Sequence, residues 1–436
     1  MSHPCKILLL LLTVFGGGCG PFAPESGTYQ LNSVRLPTTA DETSLPQHFV
    51  GRNSCSATAC HGQPHAELVS WRNAFRSWEA ADPHRRAFDV LYTERSVHMY
   101  RKLTETTAPA IDDRAYLRFV EEKCIGCHAT PPSGSLVGGS LVHQPTPDAY
   151  WQGVSCESCH GPASGWLGEH YSRSWPDLGK KLRAEKTAAT GFHDLRSLQQ
   201  RAETCLQCHH GPQQIGDRFY DVNHDLIAAG HPRLQFELHA YLTNLPKHWD
   251  EAAEINEYEK AKSQQPAEQS FHFDTWQAGQ MQHKLQDARL QQTRTKLVEG
   301  KEAGDWAEFA NKDCRLCHHT AGEPSFRPQL APPLPAAADL LQAPPTNAAE
   351  RAALVHHLLT QSSTSDQAVA GYLAAAAFAG DLPQGALTAE LSRLQQALAT
   401  QCGASQYDLP AKFDPAQPEY QQALESLQQV LQQLAR

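Results

Sequence analysis

The sequence predicts an all-α protein with a helical C-terminal region. Three observations carry that prediction. Leu387, Leu391, Leu394 and Leu398 recur at three- and four-residue steps, as do Tyr420, Leu424, Leu427, Leu431 and Leu434, which is the spacing of a buried helix face. A Gln-rich stretch from Asp274 to Leu297 reads as one long helix. No region is rich in strand patterns.

The elements follow in chain order. The chain has 436 residues, room for one large domain or two ordinary ones. Residues 1–19 read as an export signal: Lys6 is the firm positive charge, Ile7 to Phe15 form a short apolar core, and small residues follow. That core is too short to span a bilayer. Cys19, behind three glycines, reads as a lipoprotein cleavage site with a lipid anchor on the new N-terminus, the alternative being a plain signal peptide cut nearby; Gly16 stands where lipoprotein signals usually carry Leu. Residues 20–48, rich in Pro, Ser and Thr, make a flexible tether, and 49–323 form the main body. Residues 324–345 carry seven prolines, including Pro332-Pro333-Leu334-Pro335, and read as a linker to the helical region 346–436. The net charge is −10 and no Lys/Arg run interrupts it, which argues against a nucleic-acid partner.

Chemistry is concentrated in the cysteines. Four motifs share one form: "CIGCH" (Cys124, Cys127, His128), "CESCH" (Cys156, Cys159, His160), "CLQCH" (Cys205, Cys208, His209) and "CRLCH" (Cys314, Cys317, His318). Two intervening residues make a turn that presents both sulfurs to one porphyrin edge, and the next residue sends its ring toward the iron, so the pattern is that of c-type haem attachment. Zinc knuckles also use paired cysteines. They have no need of His at the fifth position, and four accidental matches there have a probability on the order of 10⁻⁵. "SCSATACHG" places Cys55, Cys60 and His61 in the same order with a longer loop, either a stretched fifth attachment site or a disulfide beside a chance histidine. In a chain already committed to haem the first reading is preferred, which gives five covalent haem c groups. Ten of the 13 cysteines are then used; Cys5 and Cys19 belong to the leader, and Cys402 reads as a buried thiol.

The wider composition agrees. Hydrophobic content is 40% and aromatic content 8%, low enough that large cofactors would supply missing apolar volume. There are 23 histidines, whereas beyond the start the methionines are Met99 and Met281. Iron held by His on both sides, at low potential, is the expectation.

"FVGRNSCSATACHG", Trp71 and "DPHRRAFDVL", "CIGCH", "GVSCESCHGPASGWLGEHYSRS" and "FHDL…CLQCH" together resemble the tetrahaem cytochrome c-554 family over residues 49–210. The resemblance implies an all-helical fold with little regular secondary structure around closely stacked haems, and electron transfer in the periplasm. It also implies that His170 is the distal ligand of the first haem and His84 that of the third. In that family the second haem lacks a strong distal ligand, so the site of His128 is the expected open iron unless His143 or His98 closes it. The chain departs from the family in its longer first spacing, its fifth haem and its helical tail.

Beyond the resemblance, "YDVNHDLIAAGHPRLQFELHAYLTNLPKHW" offers His224 and His231 as distal ligands to the fourth and fifth haems, in either assignment. His239 and His248 read as surface groups or propionate partners. His210 and His319 follow motif histidines directly and cannot reach the same iron; His356 and His357 are weak candidates. The function these features predict is electron transfer between redox partner proteins in the cell envelope. The alternative is a multihaem reductase acting on a small nitrogen or sulfur compound, which needs one iron with an open face.

Overall fold

The computed structural model describes residues 47–64, 71–106, 114–134, 153–172, 175, 189–215, 218–232, 234, 236–262, 269–298, 344–363, 365–383, 385–402 and 414–435. The leader and tether, His143, and the fifth motif at Cys314, Cys317 and His318 lie outside these residues. The fold is all-α, with one small antiparallel hairpin that pairs Gln213–Ile215 with Arg218–Tyr220.

The motif-bearing part is built from short pieces. Helices such as Ile125–His128, Cys156–His160 and Leu167–His170 are one turn long, and 3-10 turns lie between them. Helices this short do not persist alone, because nucleation costs more than a single turn returns. Neighbouring chain holds them instead. Glu157, buried inside the third motif, accepts the backbone N–H groups of Val50 (2.9 Å), Gly51 (2.7 Å) and Ala163 (2.8 Å), tying the distant Val50–Gly51 segment and the turn that follows the motif to one carboxylate. Tyr220 of the hairpin lies flat on the second motif: a Cβ on Gly126 would sit 2.2 Å from its ring, so the x-x of that motif must contain glycine. Its hydroxyl donates to the Glu121 carbonyl at 3.0 Å.

The largest apolar core lies at the other end of the chain. The helices Ala348–Thr360, Ser365–Gly380, Thr388–Cys402 and Pro418–Leu434 enclose it, and Phe273 and Trp276 of the long helix Phe271–Val298 complete it. The leucine stripes fall as their periodicity dictates, with Leu387, Leu394, Tyr420, Leu427 and Leu431 fully buried. Small residues on the Ser365–Gly380 helix (Ala374, Ala375 and Ala377, each fully buried) let its neighbours approach closely. Asp381, just beyond that helix, accepts the N–H groups of His272 (2.9 Å) and Phe273 (2.8 Å) and so caps the long helix from outside its own segment. The long helix is thus shared between the helical core and the motif-bearing part, where Arg294 pairs with Asp221 at 2.7 Å.

Candidate haem sites

Within each of the three described tight motifs one helical turn does the positioning. Residues three apart on a turn share a side, which brings the two thiols of Cys124/Cys127, Cys156/Cys159 and Cys205/Cys208 to one edge. The stretched motif takes up its extra residues outside the helix. The 3-10 turn Arg52–Cys55 ends, and Cys60 and Gly62 then both donate to the Ala57 carbonyl, at 2.9 and 3.0 Å. A Cβ on Gly62 would lie 2.0 Å from the Ser56 oxygen, so glycine must follow His61 for this loop to close.

Each of the four described motif histidines faces a second histidine. Ring centres are 6.1 Å apart for His61 and His170, 6.4 Å for His128 and His231, 6.3 Å for His160 and His248, and 6.0 Å for His209 and His84. Metal–imidazole bonds run at about 2.0–2.1 Å, so two imidazoles on opposite sides of one iron have ring centres about 6.3 Å apart. All four pairs match that spacing.

Hydrogen bonds fix which nitrogen each ring presents. The Nδ1–H groups donate to carbonyl oxygens: His61 to Trp71 (2.6 Å), His128 to Ala87 (2.7 Å), His170 to Leu167 (2.7 Å) and His231 to Pro232 (2.7 Å). His84 donates to the buried carboxylate of Asp82 at 2.9 Å, and Asp82 also accepts the His84 backbone N–H. A carbonyl can only accept, so Nε2 is left with the lone pair a metal needs. Burial keeps the rings neutral, pulling the pKa of His160 down to about 3 and those of His209 and His231 to about 4; His128 and His248 are lowered for the same reason.

The motif thiols share one continuous cavity of about 2810 Å³. Ordinary small-molecule pockets hold roughly 300–1,000 Å³, so this space accommodates several large ligands. Burial pushes the thiols of Cys124 and Cys205 up to about 12 and that of Cys159 higher, an environment that disfavours thiolate and suits an uncharged thioether. Among the described residues no three His, Cys, Asp or Glu side chains cluster to hold a bare metal ion. Three donors on the cavity wall, Trp166 Nε1–H, Thr204 Oγ1–H and Trp249 Nε1–H, are buried without a partner, as groups awaiting propionate oxygens would be. Porphyrin-sized space, paired imidazoles, apolar thiols and orphaned donors together fit haem.

Adjacent sites touch. Val50 and Gly51, just before the first motif, donate to Glu157 of the third, Cys159 lies near Cys205, and the Cys208 thiol sits 4.0 Å from the Gly126 carbonyl inside the second motif. Among the four described motifs these contacts run in the order first, third, fourth, second.

Several sequence expectations change. His84, on the 3-10 turn Pro83–Arg86, faces His209 at the end of the Leu198–His209 helix, not His160 of the third motif. The third site is met by His248, read from sequence as a surface or propionate group; the Leu245–Asp250 segment carries it inward, where its Nδ1 is buried. His231 faces the second site instead of the fourth or fifth, so that site is bounded by imidazole on both sides. His98 is exposed on the helix Glu94–Thr104 and plays no part in closing it. His239 meets His272, Nε2 to Nδ1 at 3.3 Å. His224 opens the helix His224–Ala229 beside Asp225 and belongs to none of the four pairs. Glu157 and Asp82 were missed from sequence; an acidic residue inside or just before a haem-binding histidine was the available signal.

The family model described as cytochrome c554 and c-prime matches residues 54–161, which contain the first three motifs. Cytochrome c-554 of Nitrosomonas europaea is 28% identical over 177 residues, covering 39% of this chain and 62% of the relative. The chain therefore spans less than two thirds of that relative's length. No solved structure matches the chain. Over these residues the chain resembles cytochrome c-554, and its motifs and paired imidazoles are of the kind multihaem c-type cytochromes carry.

Proposed function

We propose that the protein is an extracytoplasmic pentahaem c-type cytochrome that passes electrons between redox partner proteins. The observation that carries this reading is the set of four His–His pairs at 6.0–6.4 Å. Haem, when bound, supplies one-electron exchange at its iron. The chain's own residues do the rest. Paired thiols attach each group, Nδ1 hydrogen bonds lock the imidazoles, and hydrogen bonds between neighbouring motifs keep the groups close. Imidazole on both sides also leaves no face for a substrate at these four sites, which favours a carrier over a reductase.

The fifth site belongs to the same proposal. Four distal positions are supplied by His170, His231, His248 and His84. Of the two histidines offered for the later motifs, His224 remains, and we assign it to the haem of Cys314, Cys317 and His318. The export signal and Cys19 support a place in the cell envelope, held by a lipid; no described helix is long and apolar enough to cross a membrane.

Mass spectrometry of protein matured with a cytochrome c assembly system tests the count. Five haem additions are expected; four, with Cys55 and Cys60 left as thiols or a disulfide, would remove the stretched site. The electron paramagnetic resonance spectrum of the oxidised protein tests the ligation, and low-spin signals are expected throughout.

A further inference from the structure

We propose that the indole N–H of Trp249 binds a propionate carboxylate of the third haem, the one attached at Cys156 and Cys159, and thereby raises that haem's potential. The proposal rests on the haem reading above. Trp249 lies outside residues 54–161, so the family match does not assign it.

Position comes first. The ring of Trp249 stands edge-on to that of His248, with 5.1 Å between centres and 86° between planes, and His248 faces His160 at 6.3 Å. An imidazole centre lies about 3.2 Å from an iron it holds, half the separation of an opposed pair. The indole therefore stands beside the axial ligand, on the wall of the cavity that His160 and His248 also line. Propionates hang from the porphyrin rim on two-carbon arms, so one can fold toward the axial ligand and meet a donor there. Trp166 carries the other orphaned indole, but its ring is 5.3 Å from His170 and belongs to the first site.

The chemistry of the donor identifies what it takes. Trp249 Nε1–H is buried with no partner, and an indole N–H donates but never accepts. A haem held between His160 and His248 brings carboxylates into the same cavity, and an ionised carboxylate is the acceptor that such a donor binds most strongly. Two cations fix the indole. The Arg201 guanidinium lies 5.7 Å over its ring and the Lys247 ammonium 5.0 Å from it. Arg201 is 9% exposed and is held by the Leu195 carbonyl at 2.8 Å and by Glu254; Lys247 pairs with Glu251 at 2.7 Å. Both draw electron density from the ring, which strengthens its N–H as a donor. The N–H offsets part of the propionate charge beside the iron and so favours the reduced state.

Optical potentiometry of the holoprotein tests this. Trp249→Phe keeps a ring and deletes the N–H. One haem midpoint should fall, the oxidation–reduction equilibrium there moving about threefold to tenfold toward the oxidised form. In His248→Ala the third iron should be high-spin, with absorption that stands apart from the low-spin sites. Adding Trp249→Phe should move the equilibrium of that iron by the same factor, and adding Trp166→Phe should leave it in place. Haem count and the low-spin spectrum of Trp249→Phe alone should match wild type. Midpoints that stay in place, or a shift at a haem other than the high-spin one, overturn the assignment. Loss of a haem from Trp249→Phe also overturns it, by showing that the indole serves packing alone. A His248→Ala variant that stays wholly low-spin would instead defeat the pairing of His160 with His248, while the midpoints of Trp249→Phe alone still decide whether the N–H acts on a haem.

Discussion

The ring of His231 stands 6.4 Å from the ring of His128, turned 89° to it. His231 lies just past the helix His224–Ala229, where Gly230 adopts a positive φ of 124° and turns the chain back toward the second motif. The guanidinium of Arg95 donates to the Gly230 carbonyl at 3.0 Å and holds the turn in place. A site that family resemblance marks as open is thereby closed on its distal side.

His231→Ala should reopen it. The oxidised variant is expected to gain one high-spin signal per chain, and the reduced variant to bind about one equivalent of carbon monoxide that wild type does not take up at this site. A spectrum identical to wild type would show that His231 is a buried bystander.

Asp82 acts through His84. Its carboxylate, 2.9 Å from His84 Nδ1, would make the imidazole a stronger donor to a haem iron held there and so favour the oxidised state. Asp82→Asn keeps a side-chain oxygen to cap the 3-10 turn but removes the charge. The potential of the fourth haem should rise by roughly 50–100 mV, since each tenfold change in relative affinity is about 59 mV for one electron. Potentiometric titration followed optically reads this directly, with thermal stability as the control for simple misfolding.

Glu157 should be a stability residue rather than a redox one. Glu157→Ala leaves three backbone N–H groups without their acceptor and should cost about 2–5 kcal/mol. Glu157→Gln, which keeps one oxygen, should lie between alanine and wild type. Denaturant unfolding of the holoprotein gives the order, and equal stabilities would mean that water replaces the carboxylate.

Asp381 predicts a pH dependence in the helical core. Burial raises its pKa to about 7 from the ordinary 3.8, against the two N–H donors and Arg351, which favour the charged form; nearby Asp274 adds to the rise. Between those values the folded protein holds a proton that the unfolded chain has released. Stability from this group is therefore full below about pH 4 and is lost as pH rises through about 7. Asp381→Asn cannot titrate, so the stability difference between wild type and variant should shift in favour of the variant across that window. A difference that stays flat with pH would show an ordinary carboxyl.

The sequence by itself determined the attachment chemistry and the helices, because both are local. Two cysteines one turn apart with a histidine next in line, as in Cys205, Cys208 and His209, need only their own backbone to present a haem-binding edge. The Leu387–Leu398 and Tyr420–Leu434 stripes need only the period of the helix to define a buried face. The tertiary structure decided which histidines face the motif rings. His84, His170, His231 and His248 reach their sites from segments far along the chain, and no local pattern distinguishes them from His98, His224 or His239. Their choice is made by what carries each ring inward: the Asp82 cap for His84, the turn at Gly230 for His231, and the inward segment before Trp249 for His248. Those are consequences of packing, and packing joins residues that sequence spacing does not relate.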